Sequence, residues 1–351
     1  MHAHDTGDPS VSERLAVNDS VDPAVLRFLL DPRRLGVGAD SVTMIESHMS
    51  LVFLAGDRAY KMKKPIAFDH VDFRSLDARR TNCEREIELN RVLSPEIYLG
   101  LERITRERDG SLHLGGPGET IEWLVVMRRL DEARLLDHAI VQGSATRKDI
   151  DSLVGVLGPF YAKPLDCPAS PAEVLARYQT AFGLDARSLR RPEFGLPQGL
   201  VEDVLGELAR FLDDCSELIV ARIDAGWIRD CHGDLRPQHV FLGPPLCLID
   251  RLEFDENLRK CDPFEEVVDL GLECERIGAA WIQPMLLDGL EACLGSRPDE
   301  RLLAFYAGMR AGLRARFAIE HIGSGRGSPA EWRERATASL ELARKYAILQ
   351  S

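Results

Sequence analysis

The residues whose types and spacing could do chemistry lie between positions 231 and 255. Cys231-His232-Gly233-Asp234 reads as an exposed loop, and the chain then passes through Arg236, Pro237, Gln238 and His239 into the apolar Val240-Phe241-Leu242. A Gly243-Pro244-Pro245 turn and the apolar stretch Leu246 to Ile249 lead to Asp250. Such a hairpin holds two carboxylates, Asp234 and Asp250, at neighbouring strand ends. Phosphoryl transfer to a hydroxyl needs a pair of this kind. One aspartate orients the attacking hydroxyl and accepts its proton, and the other holds magnesium on the nucleotide phosphates. A His-Gly-Asp triplet alone is usually just a loop, and an aspartate after a strand can be a simple turn former. The signal lies in their combination with residues upstream.

The elements that must position these groups follow from hydrophobic periodicity. Asp22-Pro23 opens a short apolar helix over 24–30, and Asp31-Pro32 stops it. Strands fit 41–45, 51–55 and 58–63, the last two forming a hairpin about Gly56-Asp57. A helix over 75–93 ends at Ser94-Pro95. Further strands fit 99–105, 112–114 and 121–127, with Asp109-Gly110 and Gly115-Gly116-Pro117-Gly118 as turns. Helices then dominate, over 149–161, 171–182 and 200–225, and again through most of 264–348, interrupted by the hairpin at 230–250. Strands with one helix, followed by helices with an embedded hairpin, predict an α+β protein in two lobes.

The spacing around Asp234 matches the protein-kinase pattern H-x-D-x-x-x-x-N with a metal-binding Asp shortly after. The chain here resembles the aminoglycoside and choline kinase-like phosphotransferases, whose signature is H-G-D-x-x-x-x-N followed by I-D. More narrowly, it looks like a bacterial subgroup of uncharacterised aminoglycoside-phosphotransferase-like proteins. That likeness rests on the block Val52 to Pro65, on Cys83-Glu84-Arg85-Glu86-Ile87-Glu88-Leu89-Asn90-Arg91 and on Leu252-Glu253-Phe254-Asp255, and it spans roughly residues 40 to 320. It implies a protein-kinase-like two-lobed fold. After a flexible N-terminus at 1–20 would come an N-lobe with a small antiparallel sheet and one helix at 21–128. A larger, mainly helical C-lobe at 129–351 would carry the catalytic loop at 231–255.

The resemblance also implies roles. Asp234, supported by His232, would be catalytic, and Asp250 would hold the metal. Kinase-like folds pair a strand lysine with a helix glutamate to order the nucleotide phosphates. The returning strand offers Lys61 and Lys63, which share one face by the two-residue alternation, and both remain candidates. Glu86 is the expected partner, with Glu84 and Glu88 facing solvent. Ser50, in the turn from Glu46, resembles the serine-bearing loop these kinases use for phosphate. Met127, at the end of its strand, would line the nucleotide pocket. Where the family has asparagine, five residues after Asp234, stands His239. It could sit near the phosphates without binding metal, ligate Mn²⁺ in preference to Mg²⁺, or mark a protein that has lost activity. Glu253 and Asp255 could assist the metal or form a solvated turn. Asp262-Pro263-Phe264-Glu265-Glu266 resembles the family's helix start that braces the catalytic loop. Arg310 and Arg314 fall on one helical face, facing the cleft or pairing with acidic surface.

Bulk properties narrow the classes. With 44 basic and 57 acidic residues the net charge is -13, which disfavours nucleic-acid binding. Eight cysteines without a C-x-x-C pair argue against a zinc site and for reduced thiols in a cytoplasmic protein. The polar N-terminus has no signal-peptide core, and no stretch is apolar enough for a membrane span. No D-F-G or A-P-E motif marks a protein kinase. The expected cofactors are ATP and Mg²⁺, with Mn²⁺ as the alternative, and the partners a nucleotide and a small acceptor: a sugar, amino sugar, amino alcohol or antibiotic. A nucleotide-binding pseudokinase and a metal-dependent hydrolase using His232, Asp234, His239 and Asp250 are the competing readings.

Overall fold

In a computed structural model the protein is described over residues 21–38, 40–68, 71–165, 170–323 and 328–348. The N-terminus expected to be flexible, 1–20, and Cys167 lie outside the described residues. The chain forms two compact units. The first runs to Glu132 and also takes Leu248–Asp255; the second comprises Ala133–Cys247 and the chain from Glu256 onward. Residues 248–255, which the sequence groups with the helical region, therefore fall in the first unit.

The first unit begins with α1 (Pro23–Leu30), whose cap Asp22 accepts a hydrogen bond from the Ala24 N–H at 2.8 Å, followed by the single turn α2 (Pro32–Leu35). Its sheet comprises β1 (Val42–Glu46), β2 (Ser50–Ala55), β3 (Arg58–Lys63), β6 (Tyr98–Arg106), β7 (Leu112–Leu114) and β8 (Glu119–Arg128). The order is β1-β2-β3-β8-β6-β7, and every neighbouring pair is antiparallel. Strand alternation splits its central strands into two faces. Leu51, Phe53, Tyr60, Met62 and Leu124 form a core with Val25, Leu26 and Leu29 of α1. Cross-strand pairing aligns Ser50 with Lys63, Val52 with Lys61, Lys61 with Val125, and Ala59 with Met127, so these residues share the opposite face. One face holds the sheet on its helix and the other is available for chemistry.

The helix α3 (Leu76–Asn90) starts at Ser75, whose hydroxyl accepts from the Ala78 N–H at 3.1 Å. Its buried positions include Arg79, Asn82, Cys83, Glu86, Ile87 and Asn90, a stripe with helical period but mostly polar chemistry. Two of its long polar members have partners: Arg79 Nε binds Glu122 at 2.8 Å, and Asn90 Nδ2 donates to the Arg251 carbonyl at 3.2 Å. A small hairpin, β4 (Ala67–Phe68) with β5 (Val71–Asp72), precedes α3 and has no counterpart in the sequence reading.

The second unit is mainly helical: α4 (Leu136–Val141), α5 (Arg147–Tyr161), α6 (Pro171–Leu189), α7 (Gln198–Asp214), α8 (Ser216–Asp224), α9 (Pro263–Arg276), α10 (Ile282–Leu294), α11 (Glu300–Gly323) and α12 (Pro329–Ile348). The single helix expected over 200–225 is two helices. Cys215 leaves helical geometry at φ -132° and ψ 13°, and the chain turns there. Four short strands lie around the loop: β9 (Arg229–Asp230), β10 (Val240–Phe241), β11 (Cys247–Leu248) and β12 (Lys260–Cys261). The α9 helix is buried from Pro263 through Cys274. The four acids of this buried stretch, Glu265, Glu266, Asp269 and Glu273, must therefore be paired inside the protein.

Candidate active site

In the first unit a charged cluster forms on the site face of the sheet. Lys61 Nζ lies 2.8 Å from Glu86 and 2.5 Å from Asp250. Lys63 Nζ lies 2.5 Å from Glu86 and 2.5 Å from Glu253. Both lysines thus meet one fully buried glutamate. Burial works against the ammonium of Lys61, yet Asp250 and Glu86 hold its pKa well above the ordinary lysine value. Burial likewise opposes the charge on Glu86, but the two lysines bring its pKa below the usual glutamate value. Glu84 and Glu88 pair with Arg80 and Arg85 on the exposed side of α3, as the helical spacing predicts.

Asp250 reaches this cluster through an unusual backbone: it is a non-glycine residue at φ 62°. Left-handed geometry is uncommon for side-chain-bearing residues, although aspartate tolerates it better than most. Its N–H donates to the Tyr98 hydroxyl at 3.0 Å, and the next N–H, of Arg251, donates to Asn90 Oδ1 at 2.7 Å. The Ser94 hydroxyl donates to the Leu248 carbonyl. These bonds explain why 248–255 belongs to the first unit. Glu253 forms no solvated turn: its side chain is 6% exposed and is the second partner of Lys63. Burial pushes its pKa up, against the pull of Lys63. Ser50 is buried at the start of β2, where its N–H donates to Ser47 Oγ at 3.1 Å. Met127 is half-buried on β8.

In the second unit Asp234 sits among cations. Its Oδ2 is 2.8 Å from Arg236 Nη2, and its Oδ1 is 3.3 Å from Arg314 Nη2. His239 Nδ1 lies 3.9 Å from Oδ2. Burial favours the neutral acid, but Arg236, His239 and Arg314 outweigh it and hold the Asp234 pKa at about 2. The loop is built from beneath. Glu266 on α9 accepts from the His232 N–H at 2.9 Å, the Gly233 N–H at 2.5 Å and the Tyr161 hydroxyl at 2.5 Å. His232 is fully buried, with Nδ1 accepting from the Asp234 N–H at 3.4 Å. The Nδ1 of His239 donates to the Asp234 carbonyl at 2.7 Å, so that nitrogen shapes the loop.

Two further acids of α9 meet α11. Arg310 binds Glu265 at 2.8 Å, and Arg314 binds Asp269 at 2.5 Å. The partners of these arginines are therefore buried acids and Asp234. The sequence could have shown this ladder once both helices were granted. Glu265, Asp269 and Glu273 recur every four residues, as do Arg310 and Arg314. Arg236 escaped notice because a cation two residues from an aspartate carries no signal of its own.

Among the described residues no group of three or more His, Cys, Asp or Glu side chains is arranged to hold a metal ion. A magnesium ion carried on a nucleotide needs less, since it takes one or two carboxylates plus phosphate and water oxygens. Asp250, an oxygen donor 43% exposed, fits that need. Among the described residues no helix is long and apolar enough to cross a membrane.

The fold has close counterparts among solved structures. Aminoglycoside 2'-phosphotransferase-IIIa, in its GDP complex, superposes with a TM-score of 0.53 at 15% identity, covering 91% of this chain and 97% of that one. Spectinomycin phosphotransferase, with ADP and spectinomycin, gives 0.53 at 13% identity over 92% and 97%. The chain has the fold of these phosphotransferases: α+β, as the order of elements predicts, and protein-kinase-like, as the resemblance implies. No family model matches the chain. Among curated proteins it is 30% identical over 296 residues to proteins described as uncharacterized from Mycobacterium tuberculosis and Mycobacterium bovis. That alignment covers 81% of this chain but 55% of each relative, so the chain spans about half the length of the curated relatives it matches.

Proposed function

We propose that this protein is an ATP-dependent kinase that transfers a phosphoryl group to the hydroxyl of a small molecule. The observation that carries this is the convergence of Lys61, Glu86 and Asp250, from three distant parts of the chain, at 2.8 and 2.5 Å. A strand lysine, a helix glutamate and a carboxylate able to hold a cation are the parts that order nucleotide phosphates. Lys61 is the proposed phosphate lysine, and Lys63 with Glu253 holds Glu86 in place. Ser50 and Met127 would contribute to the nucleotide site from the same sheet face. Magnesium bound at Asp250 would neutralise phosphate charge during transfer. Asp234 would orient the acceptor hydroxyl and take its proton, and His232 and His239 would act as positioning residues for that loop. The two solved counterparts carry GDP or ADP, which supports a nucleotide site.

His239 keeps a second reading alive, in which nucleotide binds and no transfer follows. Its Nδ1 bond to the Asp234 carbonyl favours a structural part for this histidine, and with it a working enzyme. The test is ADP formation from ATP with Mg²⁺ or Mn²⁺ across a panel of hydroxyl acceptors. Wild type should turn over at least one acceptor, and Asp234→Asn should lose about 10³-fold or more in kcat while still binding ADP. Asp250→Asn should lose metal-dependent nucleotide binding. Equal rates for wild type and Asp234→Asn would refute the assignment.

A further inference from the structure

Asp250 keeps a backbone shape that its own chemistry does little to favour. Among the described residues it is the one non-glycine residue with a positive φ, and such a residue stays in that region only where its surroundings fix it. The peptide groups on either side of it are fixed by two buried side chains. Before it, the Asp250 N–H donates to the Tyr98 hydroxyl at 3.0 Å. After it, the Arg251 N–H donates to Asn90 Oδ1 at 2.7 Å, and Asn90 Nδ2 returns a hydrogen bond to the Arg251 carbonyl at 3.2 Å. The same Nδ2 donates to the Glu86 carbonyl at 2.9 Å. Asn90 thus uses both ends of its amide and is tied to the helical turn whose Glu86 carboxylate meets Lys61. Asn90 and Tyr98 are buried, whereas the Asp250 side chain is 43% exposed. Burying polar side chains is unfavourable unless their hydrogen bonds are made, and here those bonds end on the backbone of Asp250 and its neighbour. Anchoring of the segment is a separate task. The Ser94 hydroxyl bonds the Leu248 carbonyl, two residues before Asp250, and touches neither of its peptide groups.

We propose that Asn90 and Tyr98 are positioning residues for the metal: by fixing the peptide groups around Asp250 they set the direction of its carboxylate, and with it the affinity for a divalent cation. Side chains that orient a metal ligand without touching the ion govern its affinity, and losing one typically costs about 10- to 100-fold. The proposal rests on the kinase reading for Asp250 as the carboxylate that holds the metal. It also ties two tasks to one helix. Asn90 lies one turn beyond Glu86 on α3, so their side chains share a face. The same stretch of α3 therefore places the partner of Lys61 and the amide that shapes Asp250. A displacement of α3 would disturb the phosphate lysine and the metal carboxylate together.

The probe is ADP, titrated by calorimetry into the full chain with saturating Mn²⁺ and again in excess chelator. The ratio of the two affinities is the metal's contribution, and Asp250→Asn sets its full loss. Tyr98→Phe removes one hydroxyl and leaves the ring to pack. It should weaken ADP binding about tenfold with Mn²⁺, and Asn90→Ala should do so about 10- to 100-fold. In chelator both should stay within about twofold of wild type. Ser94→Ala, which loosens the segment without freeing Asp250, should stay within about twofold in both conditions. If Asn90→Ala does not fold, Tyr98→Phe decides. Three results would overturn the proposal: Tyr98→Phe with the wild-type affinity in Mn²⁺, equal losses with Mn²⁺ and in chelator, or Ser94→Ala as weak as Tyr98→Phe. Wild type whose ADP binding ignores Mn²⁺, or that binds no ADP, would refute the kinase reading and the proposal with it. Wild type that binds ADP more tightly with Mn²⁺, while Tyr98→Phe does the same, would refute the proposal alone.

Discussion

Asp234 is a carboxylate with its charge secured from three sides. At about 2 it is a weak base, which suits a transfer whose transition state is loose and asks chiefly for orientation. In the proposed reaction the deprotonated form is the active one, so activity should fall as pH falls through its pKa. We therefore expect kcat/KM to show no Asp234 limb above pH ~4. Arg314→Met should move that limb upward by about one pH unit as the pKa returns towards the ordinary carboxylate value. The same charge stabilises the fold above about 3.8, and that contribution fades as pH drops towards about 2. Lys61 and Lys63 make a second contrast. Lys61 is 12% exposed and pairs with the half-open Asp250, whereas Lys63 is 3% exposed and locked between Glu86 and Glu253. Lys63→Ala strips a buried glutamate of its ion pair and should cost about 3–5 kcal/mol in chemical denaturation. Lys61→Ala leaves Glu86 with Lys63 and lets Asp250 reach water. It should unfold closer to wild type yet bind ADP about tenfold more weakly or worse.

Among the elements, α9 does the most to shape the site. It is buried through three turns, and its acids point at different tasks. Glu266 grips the loop through two backbone N–H groups, while Glu265 and Asp269 hold α11 through Arg310 and Arg314. The hydrogen bonds to Glu266 oppose the upward push of burial on its pKa. Glu266→Gln keeps the shape but aims an amide donor at a set of donors. We expect it to leave the far-UV spectrum intact and to lower kcat about 10- to 100-fold, with less effect on ADP affinity. A kcat like that of wild type would show that the loop holds its shape without this carboxylate. The α3 helix works in the same way: its buried stripe is polar because it faces charged strands and the Asp250 segment.

On the scale of the whole molecule, charge is sorted. The chain is acidic overall, yet the surroundings of Asp234 are rich in arginine, and the sheet face bearing Lys61 and Lys63 absorbs three carboxylates. Hydrophobic burial accounts for the sheet's other face and for most of the helical unit. The polar clusters sit where burial alone would be unfavourable, and each is held by near-complete pairing.

Much of this was written in local sequence. Strand alternation and helical period placed β2, β3, α3 and β8 to within a few residues. His232-Gly233-Asp234 and Asp250 pointed to the proposed chemistry, and Glu86 was singled out by the family resemblance, with helical spacing turning Glu84 and Glu88 to another face. Period could not choose between Lys61 and Lys63, because residues two apart on a strand are equivalent until something packs against them. The break at Cys215 and the β4–β5 hairpin carried no strong turn signal. Glu253 and Arg314 stood out in the sequence without their partners, and Asp269 did not stand out at all; three dimensions supplied the pairing. Their meaning depends on partners between 45 and 190 residues away, and a buried charge is explained by the charge it meets. Sequence determined which faces exist and which residues they carry; tertiary structure decided which charges are paired, and so which remain to meet a substrate.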